Sequence, residues 1–235
     1  LVDIFIVPSE GGEPRKLTGT KGPSAAPAWT PDGKYVVYAG HRREFGAATL
    51  SRIWRIPAEG GEAVMLTGDF DRAIGDSMAG DCRFGPSPSG PTLSPDGKTV
   101  YFLANDSGET SLFSVPVEGG KVELVLGGKR QIFGFTLDKS GKTFAIAVCT
   151  PAIPGDMGVF HLDSGKETLL TSENKQLLDE VYLSQPEEYS FKSSDGKDRL
   201  GWIMKPVGFK EGHKYPAILE IHGGPAVMFG WNFFF

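Results

Sequence analysis

Two short units alternate along this chain, and their spacing restricts the fold more than any other feature. The first reads Val7-Pro8-Ser9-Glu10-Gly11-Gly12 and returns as Ile56-Pro57-Ala58-Glu59-Gly60-Gly61 and Val115-Pro116-Val117-Glu118-Gly119-Gly120, with a weaker copy at Leu162-Asp163-Ser164-Gly165. Each is a strand end, a glycine-containing turn and a second short apolar run such as Ala63-Val64-Met65-Leu66. The second unit reads Trp29-Thr30-Pro31-Asp32-Gly33-Lys34-Tyr35-Val36-Val37-Tyr38. It returns from Leu93 to Phe102 around Pro95-Asp96-Gly97-Lys98, and from Leu137 to Ile146 around Asp138-Lys139-Ser140-Gly141. A turn of that chemistry between two β-branched or aromatic runs is a hairpin signal.

The two units repeat at roughly 45 to 60 residues, the range of one blade of a β-propeller. The 32 glycines and 17 prolines fall in the turns, as an all-β chain requires. The pattern predicts the end of one blade over 1–18 and three fuller blades near 22–68, 82–128 and 131–172. The fold class is mainly β, with a partial propeller of about three and a half blades filling residues 1–172. Such a partial ring would leave raw sheet edges, so further blades are expected upstream. Residues 69–91 break the rhythm with a long connection carrying Asp69, Asp71, Asp76 and Asp81. Their spacing is not that of an EF-hand, and the segment reads as a polar loop at the tunnel or rim, with substrate contact as the alternative.

Charge narrows the partners. Twenty-four basic and 29 acidic residues give a net charge of −5, and no Lys/Arg cluster offers a nucleic-acid footprint. The apolar runs are too short to cross a membrane as helices. Cys82 and Cys149 have no metal or redox spacing and read as reduced thiols of a cytoplasmic protein. No cofactor or metal is implied. Leu1 already opens a strand-like segment and the chain closes on Phe233-Phe234-Phe235. Both ends are therefore expected to continue, and no signal peptide is visible.

Residues 173–186 lose the blade pattern and read as a hinge. From 187 to 235 a different pattern begins: a strand at Glu188–Lys192, a turn at Ser194-Asp195-Gly196-Lys197, a strand from Leu200 to Lys205, then a polar connection. The apolar run Tyr215-Pro216-Ala217-Ile218-Leu219-Glu220-Ile221 follows and ends at His222-Gly223-Gly224-Pro225. That run is suited to a central strand buried on both faces, and the two glycines let the backbone turn sharply after it.

Blades with Pro-Asp-Gly-Lys turns, then Pro186-Glu187-Glu188-Tyr189, Gly201-Trp202-Ile203-Met204-Lys205-Pro206 and the Tyr215 to Pro225 segment, resemble the prolyl oligopeptidase family of serine peptidases, closest to its acylaminoacyl-peptidase-like branch. The propeller repeats alone are shared with TolB-like modules; the His-Gly-Gly-Pro segment is the more specific signal. The resemblance covers the whole chain and implies that 187–235 are the first strands of an α/β-hydrolase domain. The implied enzyme hydrolyses short peptides, acylaminoacyl or oligopeptide substrates, through a Ser-His-Asp triad. No Gly-x-Ser-x-Gly elbow is present, so the triad would lie outside this chain, which alone would be inactive. What the chain would supply is half of the oxyanion hole: the backbone N–H of Gly224, with Gly223 shaping the turn. Ala226 stands where the family often has a polar residue, which would alter the adjacent subsite. The implied partners are short peptides and the remainder of its own chain, and self-association into a homo-oligomer is left open. The alternatives are a non-catalytic propeller that binds proteins, or an esterase with the same corner.

Other candidates carry less. His222, at a strand end before any nucleophile, reads as structural, and His41, His161 and His213 as surface or loop residues. Glu187 and Glu188 resemble the paired glutamates of dipeptidyl peptidases but open the hydrolase part instead of lying in the propeller, so they read as solvated. Arg42, Arg43 and Arg52 could meet a carboxylate or acyl group but read as hairpin surface. Ser24, Ser51, Ser87 and Ser89 lack the context of a nucleophile.

Overall fold

The recurring turns are held by their own side chains. The Thr30 hydroxyl donates to Asp32 Oδ1 at 2.7 Å, and the same oxygen accepts the Lys34 amide at 3.1 Å. Ser94 and Asp96 repeat both bonds, at 2.6 and 3.1 Å. In the third turn Asp138 itself takes the amides of Lys142 and Thr143, at 2.9 and 3.0 Å, and the Ser140 hydroxyl at 2.6 Å. A short polar side chain that bonds its own turn fixes where the strand reverses.

The computed structural model describes residues 2–19, 21–80, 90–224 and 227–233. Strands β1 (Phe5–Ile6) and β2 (Arg15–Lys16) pair antiparallel. A four-stranded sheet follows in chain order: β3 (Ser24–Trp29), β4 (Tyr35–Gly40), β5 (Arg52–Pro57) and β6 (Val64–Met65). Strands β7 (Thr92–Leu93), β8 (Thr99–Asp106), β9 (Glu109–Pro116) and β10 (Glu123–Leu126) form a second antiparallel meander. A third comprises β11 (Gln131–Leu137), β12 (Thr143–Thr150), β13 (Ile153–His161) and β14 (Lys166–Leu169). The last two meanders touch edge to edge where β11 pairs with β9, parallel, at Gln131 and Thr110. Repeated four-stranded meanders packed face to face are propeller blades, and the chain is mainly β.

The packing explains why β4 and β8 read as continuous apolar runs. Successive side chains of a strand point to opposite faces, and both faces of these sheets are covered. Val36 and Tyr38 pack with Ile4, Leu17, Trp54 and Ile56. From the other face of β4, Val37 meets Ile53, Leu66, Val100, Phe102, Phe113 and Val115. Tyr101 and Leu103, on the far side of β8, join Ile132, Phe135, Phe144 and Ile146 of the next blade.

The long connection after β6 is structural as far as it is described, from 69 to 80. Phe70 packs edge-on against Phe102 and Phe113, with centroids 6.0 and 5.0 Å apart. The Gly75 amide donates to Leu103 O at 2.8 Å and the Asn105 amide to Ala73 O at 3.0 Å, extending the β8 edge beyond β7. The Asp76 carboxylate then accepts from Thr110 Oγ1 at 3.0 Å and Gln131 Nε2 at 2.6 Å, linking two blades. Gln131 Oε1 in turn accepts from Cys149 Sγ at 3.2 Å. Thr110, Gln131 and Cys149 are buried, where such bonds have to be made. Asp81 and Cys82 lie outside the described residues.

Beyond β14, helix α1 (Lys175–Glu180) carries the ion pair Lys175–Asp179 at 2.7 Å. Strands β15 (Pro186–Lys192) and β16 (Asp198–Met204) then form an antiparallel hairpin, in register from Pro186–Met204 to Lys192–Asp198. The third strand expected from Tyr215 is not formed. Residues 213–224 lie outside any strand, and Ile218, Leu219 and Ile221 are 96%, 84% and 82% exposed. A strand is held by its neighbours' hydrogen bonds, and β15 and β16 pair with each other alone among the described residues. The sequence pattern specifies a buried strand; the described chain supplies no sheet to receive it.

Candidate oxyanion corner

The corner is approached by a self-supporting connection. Tyr215 Oη accepts the Lys210 amide at 2.8 Å, Phe209 lies against the Tyr215 ring at 5.1 Å, and the Lys205 ammonium stands 4.9 Å over Phe209. Residues 221–224 are exposed, and a Cβ added at Gly223 would meet nothing within 4 Å. The corner is therefore exposed, like the run that precedes it. Pro225 and Ala226, the latter with its expected effect on a subsite, lie outside the described residues.

His222 is joined to the chain around it. Its Nδ1 is 2.8 Å from Gly223 O, which accepts only, so Nδ1 carries the proton. Its ring stacks on Phe229 with centroids 4.3 Å apart and 21° between planes. The histidine thus folds the corner back onto the segment that follows it.

That segment docks on the propeller, which the sequence reading missed. The Met228 amide donates to Ser77 O at 3.1 Å, and Met228 O accepts the Ala79 amide at 2.8 Å. Asn232 Nδ2 donates to Ala79 O at 2.6 Å, and the Trp231 amide to Gly108 O at 2.7 Å. Trp231, Asn232 and Phe233 are buried. The hairpin joins the same contact: Trp202 of β16 meets Trp231 edge-on, at 5.9 Å and 89°. The Lys129 ammonium, 4.5 Å over Trp231, is 3.3 Å from Glu188 of β15. The aromatic-rich tail was the available signal, but composition does not say what an aromatic cluster rests on.

Several of the remaining candidates have partners away from the corner. Glu187 pairs with Lys205 at 2.6 Å. Arg42 lies over Trp54 at 4.4 Å, and Arg52 donates to Arg72 O at 3.1 Å. The His41, Arg52 and Trp54 side chains border a cavity of about 350 Å³ with Glu44, Phe45 and Asp71. His161 Nδ1 is 3.3 Å from Thr143 Oγ1, and His213 Nδ1 is 3.4 Å from Glu211 O. Ser24 is buried in β3; Ser87 and Ser89 lie outside the described residues. Among the described residues no group of three or more His, Cys, Asp or Glu is placed to hold a metal ion, and no helix is long and apolar enough to cross a membrane.

Over 281 aligned residues and 98% of its length the chain is 31% identical to an uncharacterized peptidase, YuxL, of Bacillus subtilis, covering 42% of that protein. It is 26% identical over 234 residues to dipeptidyl-peptidase 5 of Porphyromonas gingivalis, covering 98% of this chain and 32% of that protein. The acylaminoacyl peptidase of Pyrococcus horikoshii superposes with a TM-score of 0.73 at 24% identity, over 98% of this chain and 32% of that one, and shares the fold. No family model matches the chain. The chain therefore spans less than half the length of these relatives. In sequence the chain is similar to peptidases, and in fold it is similar to acylaminoacyl peptidase.

Proposed function

We propose that this chain is the propeller and oxyanion part of a serine-type peptidase that hydrolyses short peptides, acylaminoacyl or oligopeptide substrates. The observation that carries the reading is the His222-Gly223-Gly224 corner placed after propeller blades and the β15–β16 hairpin, in a chain whose relatives are named peptidases. In the proposed reaction a serine outside this chain attacks the scissile carbonyl while its proton passes to the triad histidine. The carbonyl oxygen gains the negative charge and accepts from the Gly224 N–H and from the amide following the serine. Collapse expels the amine, which takes the proton, and water then releases the acyl group by the same steps. One such donor contributes on the order of 10²–10³ in kcat. The propeller narrows access to short chains. A cytoplasmic location belongs to the same proposal.

A second reading, removal of free dipeptides, is favoured by the likeness to dipeptidyl-peptidase 5. The ion pairs of Glu187 with Lys205 and Glu188 with Lys129 argue against that glutamate pair as an ammonium receptor. The test is to assay the full-length protein with acetyl-aminoacyl and free dipeptidyl chromogenic amides, alongside labelling by a fluorophosphonate. Labelling with cleavage of the acetylated amide supports the first reading, and labelling with cleavage of the free dipeptidyl amide the second. Cleavage of simple esters but neither amide would make the protein an esterase. Absence of labelling and hydrolysis would leave a binding module.

A further inference from the structure

We propose that the Gly108 turn of the propeller is a seat that positions the oxyanion corner, making Gly108 and Gly230 positioning residues for a reaction they do not touch. The inference rests on Gly224 acting as an oxyanion donor. The strand-like run before the corner can orient it from one side only. The chain after it is held by the propeller, and the geometry shows how closely.

Gly108, between β8 and β9, has φ of +82°, and a Cβ there would stand 2.6 Å from Trp202 Cζ2. Gly230 comes closer still: a Cβ on it would lie 2.1 Å from Gly108 O and 2.9 Å from Met78 Cε. Two backbones therefore meet with no room for a side chain on either. Trp231 N–H bonds Gly108 O at the same point.

The seat is stiff. Asn105 Oδ1 accepts both the amide and the hydroxyl of Ser77, at 2.9 and 2.7 Å, while Asn105 Nδ2 donates to Thr110 Oγ1 at 2.8 Å. Asn105 and Thr110 are buried. Ser77 O in turn holds the Met228 amide. From Met228 the link passes to Phe229, whose ring carries His222, and His222 Nδ1 holds Gly223 O. A continuous set of contacts thus runs from the blade core to the corner's backbone. Oxyanion donors act by being fixed before charge develops, and a displacement of about 1 Å can cost about 10²-fold in rate.

The test uses the full-length protein and two variants, Gly230→Ala, which forces the seat apart, and Asn232→Leu, which removes the bond to Ala79 O. Hydrogen exchange at Met228–Trp231 reports the seat, fluorophosphonate titration the fraction of competent sites, and acetyl-aminoacyl amide hydrolysis gives kcat and KM. The expected result for Gly230→Ala is faster exchange and a fall of about tenfold or more in kcat per titrated site, with KM within about twofold. Asn232→Leu moves both quantities the same way by about threefold, and it decides the matter alone if Gly230→Ala does not fold. Faster exchange with unchanged kcat overturns the proposal, as does unchanged exchange in the variants that fold. A wild-type protein that neither reacts with the phosphonate nor cleaves the amide overturns the peptidase reading itself, a failure visible before any variant is made.

Discussion

Asp138 is the aspartate most tightly held by its turn. The Ser140 hydroxyl, then the Thr143 and Lys142 amides, bring its carboxyl down to about 2. Asp32, Asp96 and Asp195 are lowered too, chiefly by the hydroxyls of Thr30, Ser94 and Ser193. A carboxyl whose value is lower folded than unfolded stabilises the fold fully above its ordinary value of about 4, and that contribution is lost as pH falls through the folded value. Asp138→Ala is therefore expected to melt below the natural protein at pH 6, with the gap closing between about pH 4 and 2; a gap constant with pH would contradict the assignment. Tyr38 poses the opposite case. Its hydroxyl is buried without a hydrogen-bond partner among the described residues, and burial raises its pKa. Tyr38→Phe removes an unsatisfied group and should stabilise by about 1 kcal/mol in a denaturant titration; a loss would show that the hydroxyl is bonded. At this scale the sequence was half legible. Pro31-Asp32-Gly33 announces its turn by residue type. Gly108, in Asp106-Ser107-Gly108, reads as any other hairpin turn, because what singles it out is the Trp202 and Gly230 packed on it.

Among the elements, β8, like β4, is a strand whose two faces both serve a core. Phe102 is 1% exposed and stacks on Phe113 at 6.2 Å between two blades. Phe102→Ala should cost about 3–5 kcal/mol in unfolding free energy, and a cost below about 1 would mean that the blades do not share this core. The blade strands were readable because the turns punctuate them and their apolar runs match sheets covered on both faces. Residues 213–224 show the limit of that reading. Ile218, Leu219 and Ile221 have the composition of a buried strand, yet pairing is a property of two strands and cannot be read from one. The β15–β16 hairpin was legible for the converse reason: its turn and both partners lie within 20 residues or so of each other.

For the whole molecule, the propeller is more than a gate in this reading. It carries the seat against which the corner is set, while the hairpin braces the same place through Trp202 and Glu188. Removing the Lys129 charge with Lys129→Met should loosen that brace without unfolding a blade. The expected readout is faster exchange at β15 and Trp231 with little change in melting temperature; a cooperative loss of fold would contradict the local role. The decisive experiment is a crystal structure of the full-length protein after reaction with a peptidyl phosphonate. The account predicts a phosphonylated serine whose phosphonyl oxygen accepts from the Gly224 amide at about 3 Å. An adduct whose oxygen is held by other donors, or the absence of any adduct, would contradict it.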